Sequence, residues 1–223
     1  MIDLPTAPKR IDRLPKDRRG YPVPWFLEWM FAGVPCKPNQ AGAAPDFRVI
    51  KHGARELAWK KGLCWICGDP MGVHKVYVIG PMCVVNRVTM EPASHRECAE
   101  YAARACPFLV RPRMRRLPDD DLQGKMQVDG HMIPRNPGAT CLYETPLAHA
   151  FSDGKGGWLI RLDDPVRVDW WAEGRHATRE EVLASMQGGL PELYKLAKAE
   201  GQDAIDELDR LGRQALKFLP AAA

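Results

Sequence analysis

The apolar positions of the chain fall into three stretches with different periods. Near the N-terminus, Trp25, Phe26, Leu27, Trp29, Met30 and Phe31 form a dense apolar run, the length of a strand, and the pattern predicts one over 23–31. "DFRVI" at 46–50 alternates Phe47 and Val49 with Arg48 and predicts the returning strand, with "GVPCKPNQAGAAP" as the loop between. "KHGARELAWKKG" reads as a short helix closed by Gly62. Before this block, prolines at 5, 8, 15, 22 and 24 preclude a helix and make residues 1–24 an extended basic arm.

The C-terminal third has the opposite character. After a strand in "GGWLIRL", Asp164 followed by Pro165 has the form of an N-cap with proline at the first helical position and predicts a helix over "PVRVDWWAEG". "TREE" at 178–181 is a capping box that launches "REEVLASMQ", a helix expected to stop at Gly188-Gly189. Leu190, Leu193, Tyr194, Leu196 and Ala197, and then Ile205, Leu208, Leu211, Ala215 and Leu219, recur at helical spacing and predict two more helices. Between 122 and 150 the signals are mixed: short β-prone pieces, "HMIP" and "TCLYET", are broken by Pro and Gly.

The expected class is α+β, divided at 24, 116 and 157. These divisions give the arm (1–24), a block with a small antiparallel sheet (25–116), an irregular β-containing connector (117–157), and a strand with a helical C-terminal unit (158–223).

Charge separates the same halves. Residues 1–116 hold 20 Lys/Arg against 10 Asp/Glu, whereas residues 117–223 hold 12 against 18. A basic half of this kind suits an anionic partner, nucleic acid above all; attraction between the two halves is the plainer alternative. The basic residues nearest the cysteines are Lys60, Lys61, Arg96, Arg104, Arg111, Arg113, Arg115 and Arg116. Five of these arginines lie between 104 and 116 with no acid among them, a run able to pair with phosphates or to lie solvated. No apolar run approaches the ~18–20 residues of a membrane span, and the first twenty residues lack the apolar core of a secretory leader. The expected location is therefore the cytoplasm, where seven cysteines stay reduced and clustered ones suggest a metal.

Cys64 and Cys67, in "CWICG", have the spacing that lets two sulfurs face one point, and Gly68 lets the backbone turn away. "SHRE" at 94–97 has the form of a capping box with Ser94 as N-cap, which puts His95 and Cys98 at the first and fourth helical positions, on one face. The helix N-terminus would favour a thiolate at Cys98. "VHKVYVIGPM" between the pairs is β-prone and reads as part of a hairpin. Cys106, two turns beyond Cys98, reads as a packed thiol before Pro107.

A knuckle, a hairpin and a helix whose first turn gives the last ligands resemble the treble-clef zinc finger over residues 64 to about 106. The resemblance implies zinc held by Cys64, Cys67, His95 and Cys98, with Cys83 as the alternative to His95. More widely, "RRGYPVPWF", "CWICG", "IGPMCVVNR", "EPASHRECAEYAARACPFL" and "TREEVLASMQGGLPEL" resemble uncharacterised proteins encoded by bacteriophages and prophages, a likeness that carries no activity with it.

Among enzymes, a zinc deaminase would need its H-x-E before P-C-x-x-C. Here the order is reversed and Leu63 stands in place of the proline. An HNH-like metal-dependent nuclease would need a histidine base on the hairpin beside a second metal site. His74 has the position, but no His-His or Asp-His pair accompanies it. The expectation is a zinc-stabilised binding protein with no catalytic residue and nucleic acid as partner. The alternatives are a host protein, met through Trp170 and Trp171, and the nuclease.

Overall fold

A computed structural model of the chain describes residues 4–38, 40–111, 137–154 and 156–221. Its centre is a four-stranded antiparallel sheet in the order β10-β9-β6-β4, built from β4 (Val76–Ile79), β6 (Thr140–Glu144), β9 (Arg167–Ala172) and β10 (Arg175–His176). Every residue of β6 is buried, because the sheet is covered on both faces. Alternation sorts the side chains. Tyr77, Ile79, Cys141, Tyr143, Trp170 and Ala172 join one core with Met82, Val182, Met186 and Leu208. Val76 and Leu142 point the other way, onto Ala99 and Ala103 of helix α4 (Arg96–Ala105). The small alanines let α4 lie close to the strands.

The first face is covered by α3 (Pro81–Asn86), α6 (Arg179–Glu200) and α7 (Gln202–Ala215). A second sheet, β5-β8-β7, comprises β5 (Val88–Thr89), β7 (Ala148–Ser152) and β8 (Trp158–Leu162), and adds Ile160 and Leu162 to the same core. The third sheet, β2-β1-β3, is formed by β1 (Leu27–Phe31), β2 (Val34–Pro35) and β3 (Ala44–Ile50). It is joined to α2 (Ala54–Lys61) and the cysteine region by aromatic packing, with Phe26 stacked on Trp65 at 4.0 Å between ring centroids. The chain is thus α+β with small antiparallel sheets and a helical C-terminal region. Among the described residues no helix is long and apolar enough to cross a membrane.

Several sequence expectations are met. The strand pair β1–β3 forms, and α2 ends at Gly62, whose φ of 61° is left-handed. At α6, Thr178 and Glu181 make the capping box in both directions. Other expectations are corrected. The arm is not wholly extended: Lys9–Asp12 makes one helical turn, α1, entered from Pro8, and buries Ile11. The "VHKVYVIGPM" hairpin does not form. β4 finds its partner in β6, some sixty residues on, and Pro81 starts α3 from the first helical position. "HMIP" lies outside the described residues.

The stretch after Asp164-Pro165 is strand β9 and not a helix. Its alternation, with Trp170 and Ala172 inward, satisfies β6 along five register pairs, and this pairing overrides the local cap signal. Nor does α6 stop at Gly188-Gly189. It runs 22 residues through both glycines and Pro191. Gly189 lies against Met82 so closely that a Cβ there would stand 2.6 Å from Sδ. The glycine is a close-approach position between α6 and α3, and packing carries the helix past its local breakers. Sheet pairing also crosses the divisions drawn at 116 and 157, since β4, β6 and β9 share one sheet.

Candidate metal centre

The knuckle is a tight turn folded back on itself. Cys64 N–H donates to the Asp69 carbonyl at 2.8 Å, and Gly68 N–H donates to the Cys64 carbonyl at 2.9 Å. Gly68 takes a φ of 81°, and a Cβ there would stand 2.9 Å from Cγ of Trp25, so both conformation and space require glycine. The Trp25 indole N–H donates to the Cys64 carbonyl at 2.9 Å and fixes the turn from outside. Trp65 N–H donates to Ala93 O at 2.8 Å, while Val76 and Ser94 exchange two backbone bonds. These bonds bring the start of α4 up to the knuckle.

His95 and Cys98 arrive there by a different route from the one the sequence suggests. Ser94 makes no capping bond. His95 is itself the N-cap residue, with extended backbone and no side-chain cap, and α4 begins at Arg96. The cap position fails because the Ser94 backbone is spent on the bridge to Val76, and Glu97 is turned toward Arg10. His95 and Cys98 still share a side of the first turn, since an N-cap and the third helical residue lie three apart.

The donor atoms of Cys64, Cys67, His95 and Cys98 all lie within 4.8 Å of one another, close enough to hold one metal ion. The three cysteines are buried, with Cys64 and Cys98 fully so. Imidazole Nδ1 stands 3.5 Å from Cys67 Sγ and 3.9 Å from Cys98 Sγ, while Nε2 is 3.1 Å from the Pro70 carbonyl. A carbonyl only accepts, so Nε2 carries the proton and the Nδ1 lone pair faces the sulfurs, the tautomer a metal-binding imidazole requires. Cys64 Sγ accepts backbone N–H groups from Cys67 at 3.5 Å and His95 at 3.4 Å, which favours its thiolate. Hydrogen bonds from the Cys67 and Cys98 thiols pull the Cys64 pKa further down. The Cys64 hydrogen bond, with burial, pushes Cys67 up to about 11. The neighbouring sulfurs and burial push Cys98 up more strongly. Three sulfurs this close cannot all carry charge unaided, and a cation among them lifts that restriction. Cys83, on α3, is not in the group and is half-buried. Cys106, at the α4–α5 junction where α5 (Pro107–Val110) begins, is half-buried as well, less enclosed than expected.

Residues the sequence did not single out surround the centre. Arg10 donates through Nε to Glu97 at 2.9 Å and through Nη1 to Asp69 at 3.2 Å, and Arg13 pairs with the same Asp69 carboxylate. Ile11, between them, is 1% exposed and shares a core with Cys64, Ile66, Cys67, Cys98 and Tyr101. No local spacing rule links residue 10 to residues 69 and 97; the one sequence signal is the basic character of the arm.

The proposed phosphate-contact residues lie on several elements where they are described. Lys60 and Lys61 are exposed on the last turn of α2, Arg104 is exposed on α4, and Arg111 is exposed after α5. Arg113, Arg115 and Arg116 lie outside the described residues. Arg96 is corrected. It donates to Glu144 through Nε at 3.1 Å and also through Nη2, and Nη1 donates to Asp169 at 2.7 Å. It is an internal tie between α4 and the sheet. His74 Nδ1 is 2.9 Å from Glu144 Oε1 with its ring largely exposed, and among the described residues the two join no group of three or more His, Cys, Asp or Glu side chains close enough to hold a metal ion. Trp170 is buried and donates to the Phe218 carbonyl at 2.7 Å, so it is core and not a contact surface; Trp171 lies half-buried against His176. Comparison with protein-family models, curated proteins and solved structures finds no match.

Proposed function

We propose that the protein holds one structural zinc ion between a knuckle and the first turn of a helix, as a treble clef does but without its local hairpin, and acts as a nucleic-acid-binding module through its basic N-terminal half. The observation that carries this reading is the convergence of three thiols and a correctly polarised imidazole on one enclosed point. Soft sulfur and imidazole donors in a set of four suit tetrahedral zinc. Four protein ligands fill that coordination and leave no position for a reacting water, which favours a structural role over a catalytic one. When bound, zinc supplies charge neutralisation of the thiolates and a covalent-strength link between knuckle and α4. The chain's own part is to aim Nδ1 through Pro70 and to supply N–H groups to Cys64.

The nucleic-acid partner rests on the positive balance of residues 1–116 and on Lys60, Lys61 and Arg104 being exposed. Elemental analysis tests the metal: one zinc per chain, lost in Cys64→Ser and Cys98→Ser, is expected, and a folded protein free of metal refutes it. A gel-shift titration against salt tests the partner. Neutralising Lys60, Lys61 and Arg104 is expected to weaken binding and flatten the salt slope by about one unit for each phosphate left without its cation. An unchanged slope overturns these residues as phosphate-pairing groups.

A further inference from the structure

We propose that Arg10 and Arg13 are positioning residues of the metal centre: acting through Asp69 and Glu97, they strap the N-terminal turn across the knuckle and set how quickly the metal leaves. The proposal rests on the reading of the centre as a metal site, and its test separates the two.

Three observations converge on the strap. First, the ion pairs are long-range, from residues 10 and 13 to 69 and 97, so they close the N-terminal segment onto the centre and do not merely decorate a turn. Second, Asp69 serves both sides. Its carboxylate takes the two guanidinium groups while its carbonyl accepts the Cys64 N–H. The strap therefore pulls on the residue that holds the first ligand's backbone. Glu97, the other anchor, immediately precedes Cys98. Third, the turn carrying the arginines is embedded in the core that contains the thiols. Ile11 is buried there, with Leu4, Ala7 and Leu14 packed at its edge. Lifting the strap exposes that apolar surface and opens the sulfurs to water.

A single exposed ion pair does little, since side-chain entropy and solvent screening offset most of its attraction. Here the pairs share one carboxylate and act at the rim of an apolar seal, so they control the opening step more than the closed geometry. Cys3His coordination of a divalent ion also carries a net negative charge, which two guanidinium groups at the rim offset.

The test uses the full-length, metal-loaded protein. Release to a chelator is followed for the wild type, for Arg10→Ala/Arg13→Ala, for Arg10→Lys/Arg13→Lys, and for Lys195→Ala/Lys198→Ala, which removes the same charge from the exposed side of α6. The alanine pair is expected to release metal ~tenfold faster, the scale of two to three weak ion pairs acting together. The Arg→Lys pair should fall between, and the Lys195/Lys198 control should match the wild type. Asp69→Asn keeps the backbone carbonyl and the Arg10–Glu97 pair and should fall between the wild type and the alanine pair. The cobalt-substituted absorption spectrum should be unchanged in every variant, because the ligands are untouched. Raising salt from about 0.05 to about 0.5 M should speed release from the wild type but not from the alanine pair. Equal release rates for wild type and alanine pair overturn the strap. If the wild type holds no metal, the function reading fails, and alkylation of Cys64 and Cys98 still tests the strap. Severalfold faster labelling in the alanine pair supports it, and equal labelling overturns it.

Discussion

Replacing Arg96 with methionine should cost the protein about 3 kcal/mol and reveal this residue as a structural tie. The side chain bridges three carboxylates on three elements: Glu144 of β6, Asp169 of β9 and, at 3.5 Å, Glu100 of its own helix. The Glu144 side chain is only 9% exposed. Burial by itself would raise the Glu144 pKa, but hydrogen bonds from Arg96 and His74 outweigh it and hold the group below its usual range. A depressed carboxyl stabilises the fold above its unfolded pKa of roughly 4.3 and loses that contribution as pH falls through its folded value. At neutral pH the full contribution is therefore present in the wild type.

Methionine keeps most of the packing volume and removes the charge, so Glu144 is left enclosed with His74 alone. Breaking a buried pair costs ~3–5 kcal/mol. Arg96 is 21% exposed and Asp169 retains Arg167 at 2.9 Å, which brings the expected loss to ~2–4 kcal/mol. Urea unfolding of metal-replete protein at pH 7 measures it, with an unchanged m-value expected. In a Glu144→Gln background the same substitution should cost ~1.5–3 kcal/mol less, because the stranded charge is gone. A loss under ~1 kcal/mol, or the same loss in both backgrounds, refutes the tie and returns Arg96 to the pool of surface charges.

Two helical glycines should respond oppositely to alanine. Gly212 has open space where a Cβ would go, so Gly212→Ala should gain about 0.5–1 kcal/mol from helix propensity. Gly189→Ala should lose ~1–2 kcal/mol, because the clash with Met82 exceeds that gain; thermal melts of both variants decide. Thr178→Ala should cost ~1 kcal/mol by removing the α6 cap. Glu181, held at about 2 by Arg175 and the Thr178 N–H, is a depressed carboxyl. The stability gap between wild type and Glu181→Gln should be present at pH 6 and close as pH falls from about 4.3 toward about 2. Paired denaturation curves across that range check the sign. Gly68→Ala should loosen the knuckle, because its φ is positive and Trp25 occupies the space; accelerated metal release is the readout.

Local chemistry in the sequence is enough to mark Cys64, Cys67 and Cys98, with His95 or Cys83 as the fourth member of the cluster, and also the capping box at Thr178, the Gly62 stop and the apolar registers of α6 and α7. Each depends on residues a few positions apart, where chain geometry alone sets which side chains meet. Tertiary structure decides the rest. β4 needs a partner some sixty residues away, so a β-prone segment beside the knuckle has the look of half a local hairpin. Asp164-Pro165 signals a helix, and only the pairing of β9 with β6 outweighs that cap. α6 passes Gly188, Gly189 and Pro191 because α3 fits against the bare backbone at 189. Ser94 loses its cap to a strand bridge with Val76. Arg96 passes from candidate phosphate contact to internal tie, and Arg10 and Arg13 from a basic arm to the rim of the cysteine–histidine cluster. The physical reason is common to all of these. Spacing rules report neighbours along the chain, whereas burial and long-range pairing set which of several locally acceptable partners a group receives, and those energies exist only once the layers are assembled.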